Sequence, residues 1–301
     1  MNSIKYHSVN GKIVPVAEAV LNISDIAILR GYGMFDFFLV REGQPLFIKD
    51  YLNRFEHSAR QLCLELPLSK AALESKIHEL ILANGLKEAS IRLVLTGGCS
   101  PDGYAPARPN ILIMEHPFPT HPRAAFEKGV KLMLHQYLRP FPIVKTTNYT
   151  VGIWLLEKMK KAGAKDILYH DGQIIAETTR ANFFIVTPND TIATAGEGVL
   201  KGITRMKVLE IAEPQFKVEK RDLKLEELKT AKEAFITSTT RGVMPVVQID
   251  DLSIGNGKPG EISNRLHHSF KDYVAKHLAQ MGSLINQAKG SSENMNSPLN
   301  H

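Results

Sequence analysis

The sequence predicts an α+β protein of two domains, and three observations carry that prediction. The chain has 301 residues, more than one hydrophobic core comfortably fills. Its first third reads as hairpins followed by helices, and its second half as a meander of short strands with helices between them. Between these halves lies His116-Pro-Phe-Pro-Thr-His-Pro122, whose prolines deny both helix and ladder. The expected division is therefore a small domain over 1–116, a linker over 117–122, a larger domain over 123–282 and a disordered Ser-, Asn- and Gly-rich tail over 283–301.

Composition narrows the function classes. Hydrophobic residues at 44% and charged residues at 23% are ordinary for a globular chain, and the formal charge of +6 is dispersed. The densest basic cluster, Lys158 to Lys165, has no interleaved aromatics, so it reads as a solvated helix face and no nucleic-acid partner is expected. Cys63 and Cys99 are too few for a disulfide framework and lack ligand spacing, so reduced thiols and no metal site are expected. There is no signal run and no apolar stretch near the ~20 residues that cross a bilayer, which gives the expectation of a cytoplasmic protein without a membrane partner.

In order, Tyr6–Val9 and Lys12–Val14 flank Asn10-Gly11, the dipeptide suited to a tight hairpin. Phe35 to Val40 is aromatic or apolar throughout, as a strand buried on both faces should be, and Glu42-Gly43 turns it into Pro45–Ile48. Asp50 is expected to cap a helix with the apolar stripe Leu52, Phe55, Ala59 and Leu62, leaving Arg54 off that stripe. A second helix should run from Ser69 to Asn84-Gly85. Ile91, Leu93 and Leu95 alternate with Arg92 and Val94, which projects Arg92 from the opposite face. Asn110–Glu115 and Val130–His135 read as strands, Val151–Lys161 as one helix ending at Gly163. Asp171-Gly172 joins two strands, Asn182–Thr187 and Thr191–Thr194 continue the meander, and Ala234–Thr237 adds another strand. The last helix is expected over Glu261–Gln280.

The chemistry concentrates between Pro142 and Thr204. Lys145 offers an amine, Glu177 a carboxylate at a strand end, and Gly202-Ile-Thr-Arg205 opens a helix whose N–H groups suit an anion. An amine, an acid and a phosphate seat are what pyridoxal 5'-phosphate (PLP) needs. Singly each has a plainer reading: a surface lysine, a solvated carboxylate, an ordinary helix start.

Together the motifs resemble the class IV (fold-type IV) PLP enzymes, which include branched-chain aminotransferases, D-amino-acid aminotransferases and aminodeoxychorismate lyases. The resemblance rests on Arg30-Gly-Tyr-Gly-Met-Phe-Asp36, Asn53-Arg54-Phe55, Lys145-Thr-Thr-Asn-Tyr149, Glu177-Thr-Thr-Arg-Ala-Asn-Phe-Phe184, Leu200-Lys-Gly-Ile-Thr-Arg205 and Thr237-Ser-Thr-Thr240 before Pro245-Val246. It implies a larger domain with a β-barrel-like core and a homodimer with a shared active site. By resemblance Lys145 is the Schiff-base lysine and the catalytic proton carrier, and Glu177 pairs with the pyridine nitrogen. Tyr149 lies near the cofactor's phenolic oxygen. Arg54, the N–H groups of Ile203 and Thr204, and Thr239 or Thr240 hold the phosphate.

Substrate choice is less legible. D-amino-acid enzymes of this family use an arginine and a histidine from the loop after the Arg92 strand, but here that loop reads Thr96-Gly-Gly-Cys-Ser100. Arg180 replaces the small residue usual three positions past the glutamate, Arg92 faces away from the core, and the resemblance carries Arg30 towards the partner's pocket. Three arginines would bind carboxylates, so the expectation leans to D-alanine or D-glutamate with 2-oxoglutarate as acceptor. The bland reading gives each arginine a structural bridge to Glu177, Asp36 or a carbonyl. Phe35 and Phe37 are expected to line the pocket, with Phe37 narrowing it against branched side chains. A branched-chain L-amino-acid aminotransferase, the lyase and an inactive binding module are the alternatives.

Overall fold

A computed structural model describes residues 4–295, with side chains through residue 283. The hairpin of β1 (Tyr6–Val9) and β2 (Lys12–Pro15) turns on Asn10 and Gly11, at φ 51° and 82°. After α1 (Ile26–Arg30), β3 (Gly33–Arg41) turns into β4 (Gln44–Pro45), followed by α2 (Ile48–Gln61), α3 (Lys70–Asn84), β5 (Ala89–Thr96) and β6 (Ile111–Pro117). These strands form one antiparallel sheet in the order β2-β1-β6-β5-β3-β4. Leu52, Phe55 and Ala59 of α2 and Leu73, Ile77 and Leu80 of α3 cover the buried row Ile91, Leu93 and Leu95. Arg92 is half-buried on the other face, as the alternation requires.

Three local expectations change here. The strand after β3 ends at Pro45, and α2 begins behind Phe47, which adopts the left-handed φ of 54°. Asp50 is thus inside the first turn, where it pairs with Lys207 at 3.1 Å instead of capping. The strand β6 carries His116 and Pro117 into the sheet, opposite Ser90 and Ala89, because a proline is tolerated at a strand end.

The second half contains α4 (Arg123–Lys128), β7 (Val130–Gln136), α5 (Thr150–Trp154), α6 (Leu156–Lys161), β8 (Asp166–His170), β9 (Ile174–Thr178), β10 (Asn182–Val186) and β11 (Ile192–Thr194). It continues with α7 (Ile203–Ala212), β12 (Val218–Lys220), β13 (Leu223–Lys224), β14 (Glu233–Ser238), β15 (Gly242–Ile249), β16 (Leu252–Ser253) and α8 (Glu261–Met295). A ten-stranded sheet runs β12-β11-β10-β14-β15-β7-β8-β9-β13, with β16 on β15.

Its two edges, β12 and β13, are joined by Arg221-Asp222 alone. Laid flat, the eight spacings between those edges would span about 38 Å. Three Cα steps reach only about 11 Å. The sheet must therefore curl on itself, and this is the barrel-like core expected of the larger half. Leu132, Leu168, Ile185, Ile236 and Val246 fill the curl. Outside it, Phe184 stacks on Phe235 at 4.7 Å under Val208 of α7 and Leu266 of α8.

The single helix expected over Val151–Lys161 is two pieces, broken where buried Leu155 turns into a cluster with Met133, Ile167 and Tyr169. The helix α4 lies between the expected linker and the first expected strand of the larger half, a stretch to which the sequence assigns no element. Instead of ending at Gln280, α8 continues to Met295, since Gly282 costs only about 1 kcal/mol in a helix and the first proline beyond it is Pro298. The backbone of 283–295 is thus helical where a disordered tail was expected, and residues 296–301 lie outside the described residues.

Candidate active site

The Lys145 loop is zipped onto the start of β3. Phe35 N–H donates to Lys145 O at 2.9 Å and Thr147 N–H to Gly33 O at 3.0 Å, so a lysine from the second half is fixed by the first sheet. Lys145 Nζ lies 3.5 Å from the Tyr149 hydroxyl and 4.8 Å from the centre of the Phe35 ring. Glu177, at the end of β9, is 5% exposed and faces the same cleft.

Glu177 is held by two residues of the quoted motifs, Asn182 and Leu200, and by one that no motif pointed to, Arg139. Arg139 Nε and Nη2 donate to its Oε1 at 2.9 and 2.6 Å, while Leu200 N–H and Asn182 Nδ2 donate to Oε2 at 3.2 and 3.4 Å. Burial pushes this carboxyl up, and Arg139 pulls against it. Arg139 is itself fixed by the carbonyls of Pro142 and Val144, at 2.7 and 3.3 Å. Position 139 lies between Leu138 and Pro140 with no periodic pattern, so only its approach in space reveals it.

In the same cleft, the first N–H groups of α7, at Ile203 and Thr204, have no partner within their helix. A Cβ at Gly202 would collide with the Asn182 amide oxygen, so the helix start requires glycine there by close approach. Arg54 lines the cleft from α2, with Nε and Nη2 on Asp36 at 3.0 and 2.6 Å and Nη1 on Lys201 O at 3.2 Å. Thr239 lines it too. Thr240 does not line this cleft; it lines a second groove alongside α8, which Thr204 and Thr239 also border.

Of the proposed substrate residues, Arg180 is exposed and lines the cleft. Arg92 lies over the rings of Phe35 and Phe37 at 5.2 and 5.6 Å, and Phe35 meets Tyr149 at 5.6 Å. Phe37 supports Arg92 and does not itself line the cleft. Arg30 is exposed at the end of α1, outside the cleft of its own chain. The carboxylates weighed as partners for these arginines, Glu177 and Asp36, are taken by Arg139 and Arg54. Among the described residues Arg92 and Arg180 have no carboxylate within 4 Å. The cleft thus carries two compensated ion pairs and, beside them, the uncompensated charges of Lys145 and Arg180.

The family described as Amino-transferase class IV matches residues 33–249. The chain belongs to this family. A putative branched-chain-amino-acid aminotransferase of Methanocaldococcus jannaschii is 32% identical over 279 residues, covering 89% of this chain and 96% of that protein. A D-alanine aminotransferase of Bacillus licheniformis is 27% identical, covering 90% and 98%. In structure the chain is similar to a branched-chain amino acid aminotransferase from T.th. solved with pyridoxamine 5'-phosphate, at a TM-score of 0.84, 25% identity and coverage of 92% and 96%.

Class IV aminotransferases are PLP enzymes, and the residues here fit that group. Thr237 Oγ1 and Ser238 Oγ line the cleft, buried and without a hydrogen-bond partner, as hydroxyls awaiting an oxygen-rich ligand would be. With the free N–H groups of α7 they offer donors of the kind a phosphate would take. No group of three or more His, Cys, Asp or Glu that could hold a metal ion occurs among the described residues.

Proposed function

We propose that this chain transfers amino groups between an amino acid and a 2-oxo acid with PLP bound by Lys145, Glu177, Tyr149, Arg54, Ile203, Thr204 and Thr239. The cofactor, when bound, supplies the electron sink that stabilises charge at the substrate Cα. The chain supplies the rest. Lys145 Nζ is the amine that takes up and returns the Cα proton, and the Phe35 ring beside it shields that exchange from water. Glu177, bound by Arg139 and shielded in the sheet, fixes the charge state of the pyridine nitrogen.

The substrate reading is D-amino acids such as D-alanine and D-glutamate, with 2-oxoglutarate as acceptor. One observation carries it: Arg180 in the cleft and Arg92, which shares the Phe35 ring with the Lys145 amine, have no carboxylate within 4 Å among the described residues and are free to seat acids. Arg30 joins them from the second subunit of a homodimer. The exposed apolar run Val20, Ile23, Ile28 and Leu29 beside it supports a covering partner. The branched-chain L-amino-acid reading draws support from the 32% identical relative.

A half-reaction screen separates them by following the absorbance of the bound cofactor. D-glutamate and D-alanine are expected to convert it faster than their L forms. If only L-leucine and L-valine do so, the branched-chain reading stands instead. Replacing Arg180 by alanine should raise KM for glutamate and 2-oxoglutarate about tenfold or more, with PLP retained. Unchanged constants for every acid tried would remove the arginine seat.

A further inference from the structure

The turn Ser238–Arg241, which presents Thr239 to the cleft, is anchored on two sides. Arg241 Nη1 reaches Asp166 Oδ2 at 2.7 Å, and the Tyr51 hydroxyl lies 2.8 Å from Thr239 Oγ1. Tyr51 belongs to α2, 188 residues away in sequence. It is 2% exposed, with its ring 5.3 Å from Phe38 and 5.2 Å from the Arg54 guanidinium. Buried and packed this way, its hydroxyl has Thr239 as its one hydrogen-bond partner, and what is left open is which of the two donates.

That choice matters to an anion. If Thr239 donates to Tyr51, its oxygen turns lone pairs towards the cleft and repels a phosphate. If Tyr51 donates, the Thr239 hydrogen is released to point into the cleft. We infer that Tyr51 is a positioning residue for the cofactor phosphate, acting through Thr239 as a two-hydroxyl relay that starts on α2 and ends on a phosphate oxygen. Burial pushes the phenol up to about 12, so Tyr51 keeps its proton throughout the working range. The same helix reaches the other half of the seat, since Arg54 Nη1 holds Lys201 O at 3.2 Å just ahead of α7. Both walls of the phosphate seat therefore lean on one helix of the first sheet.

The inference rests on the PLP reading above, and its test separates the two. Tyr51→Phe removes one oxygen and leaves the ring in place, so packing persists. Affinity is measured by fluorescence titration of the apoprotein with PLP and with pyridoxal, which lacks the phosphate. Tyr51→Phe is expected to raise the Kd for PLP about tenfold and leave that for pyridoxal unchanged. Thr239→Val should weaken PLP to a similar degree and show no further loss when combined with Tyr51→Phe, while Thr239→Ser keeps the relay. Equal losses for PLP and pyridoxal would make Tyr51 a merely structural residue, and no loss for either would end the relay. If wild-type protein itself fails to bind PLP, the underlying reading falls instead.

Discussion

Glu115 stands fully buried in β6, and its only polar contact is Asn84 Nδ2, 2.7 Å from Oε2. Its Oε1 is unpartnered. Asn84 also binds Lys5 N, Tyr6 N and Tyr6 O, tying α3 to β1. Without a cation, burial pushes the Glu115 carboxyl from 4.5 up to about 7. Between those values the folded chain holds a proton that the unfolded chain has released, so this group's stabilisation is present at low pH and falls as pH rises towards 7. The drop is on the order of 3 kcal/mol. His7 and His116 are lowered by burial and act in the opposite sense, so the comparison of interest is with Glu115→Gln, which keeps the shape without the charge. Urea melts from pH 5 to pH 8 should show the variant gaining on the wild type as pH rises. Parallel curves would show that Glu115 does not titrate in the fold. At this scale the sequence was a partial guide: Lys145, Glu177 and Arg54 announced themselves by motif. Arg139 and Tyr51 did not, because their partners lie 38 and 188 residues away in sequence.

Elements whose signals are local were legible. Asn10-Gly11 made its hairpin, and Ser69 accepts from Ala72 N–H at 3.2 Å to start α3, which Gly85 ends at φ 68°. The start of α2 was not, because Phe47 takes a left-handed backbone that aromatic residues seldom adopt, held by its packing beside Tyr273 and His277 of α8. The break at Leu155 is likewise a tertiary demand. For α7 the start was expected to seat an anion, and the reason for its glycine appears only in space, against Asn182. Gly202→Ala should therefore force the helix start or Asn182 to move, at about 1–3 kcal/mol. Its signature is weaker PLP binding, read by titration, with the curled sheet intact by circular dichroism. Wild-type affinity in that variant would mean that the close approach is not needed.

Across the molecule the cleft is a product of topology. The first sheet supplies α2 and the β3 start, the curled sheet supplies Glu177 and the Thr239 turn, and the Lys145 loop is hydrogen-bonded across the two. Hydrophobic periodicity told the helices from the strands. It could not foretell that β12 and β13 would be opposite edges of one sheet, because edge placement depends on pairings far apart in sequence. The central claim is that this arrangement gives one lysine, and no other, the role of holding the cofactor. Borohydride reduction of the PLP-loaded protein, followed by peptide mass spectrometry, tests it directly. The phosphopyridoxyl group is expected on Lys145 alone and to vanish in Lys145→Ala. Its appearance on another lysine, or undiminished reduction in the variant, would contradict the account.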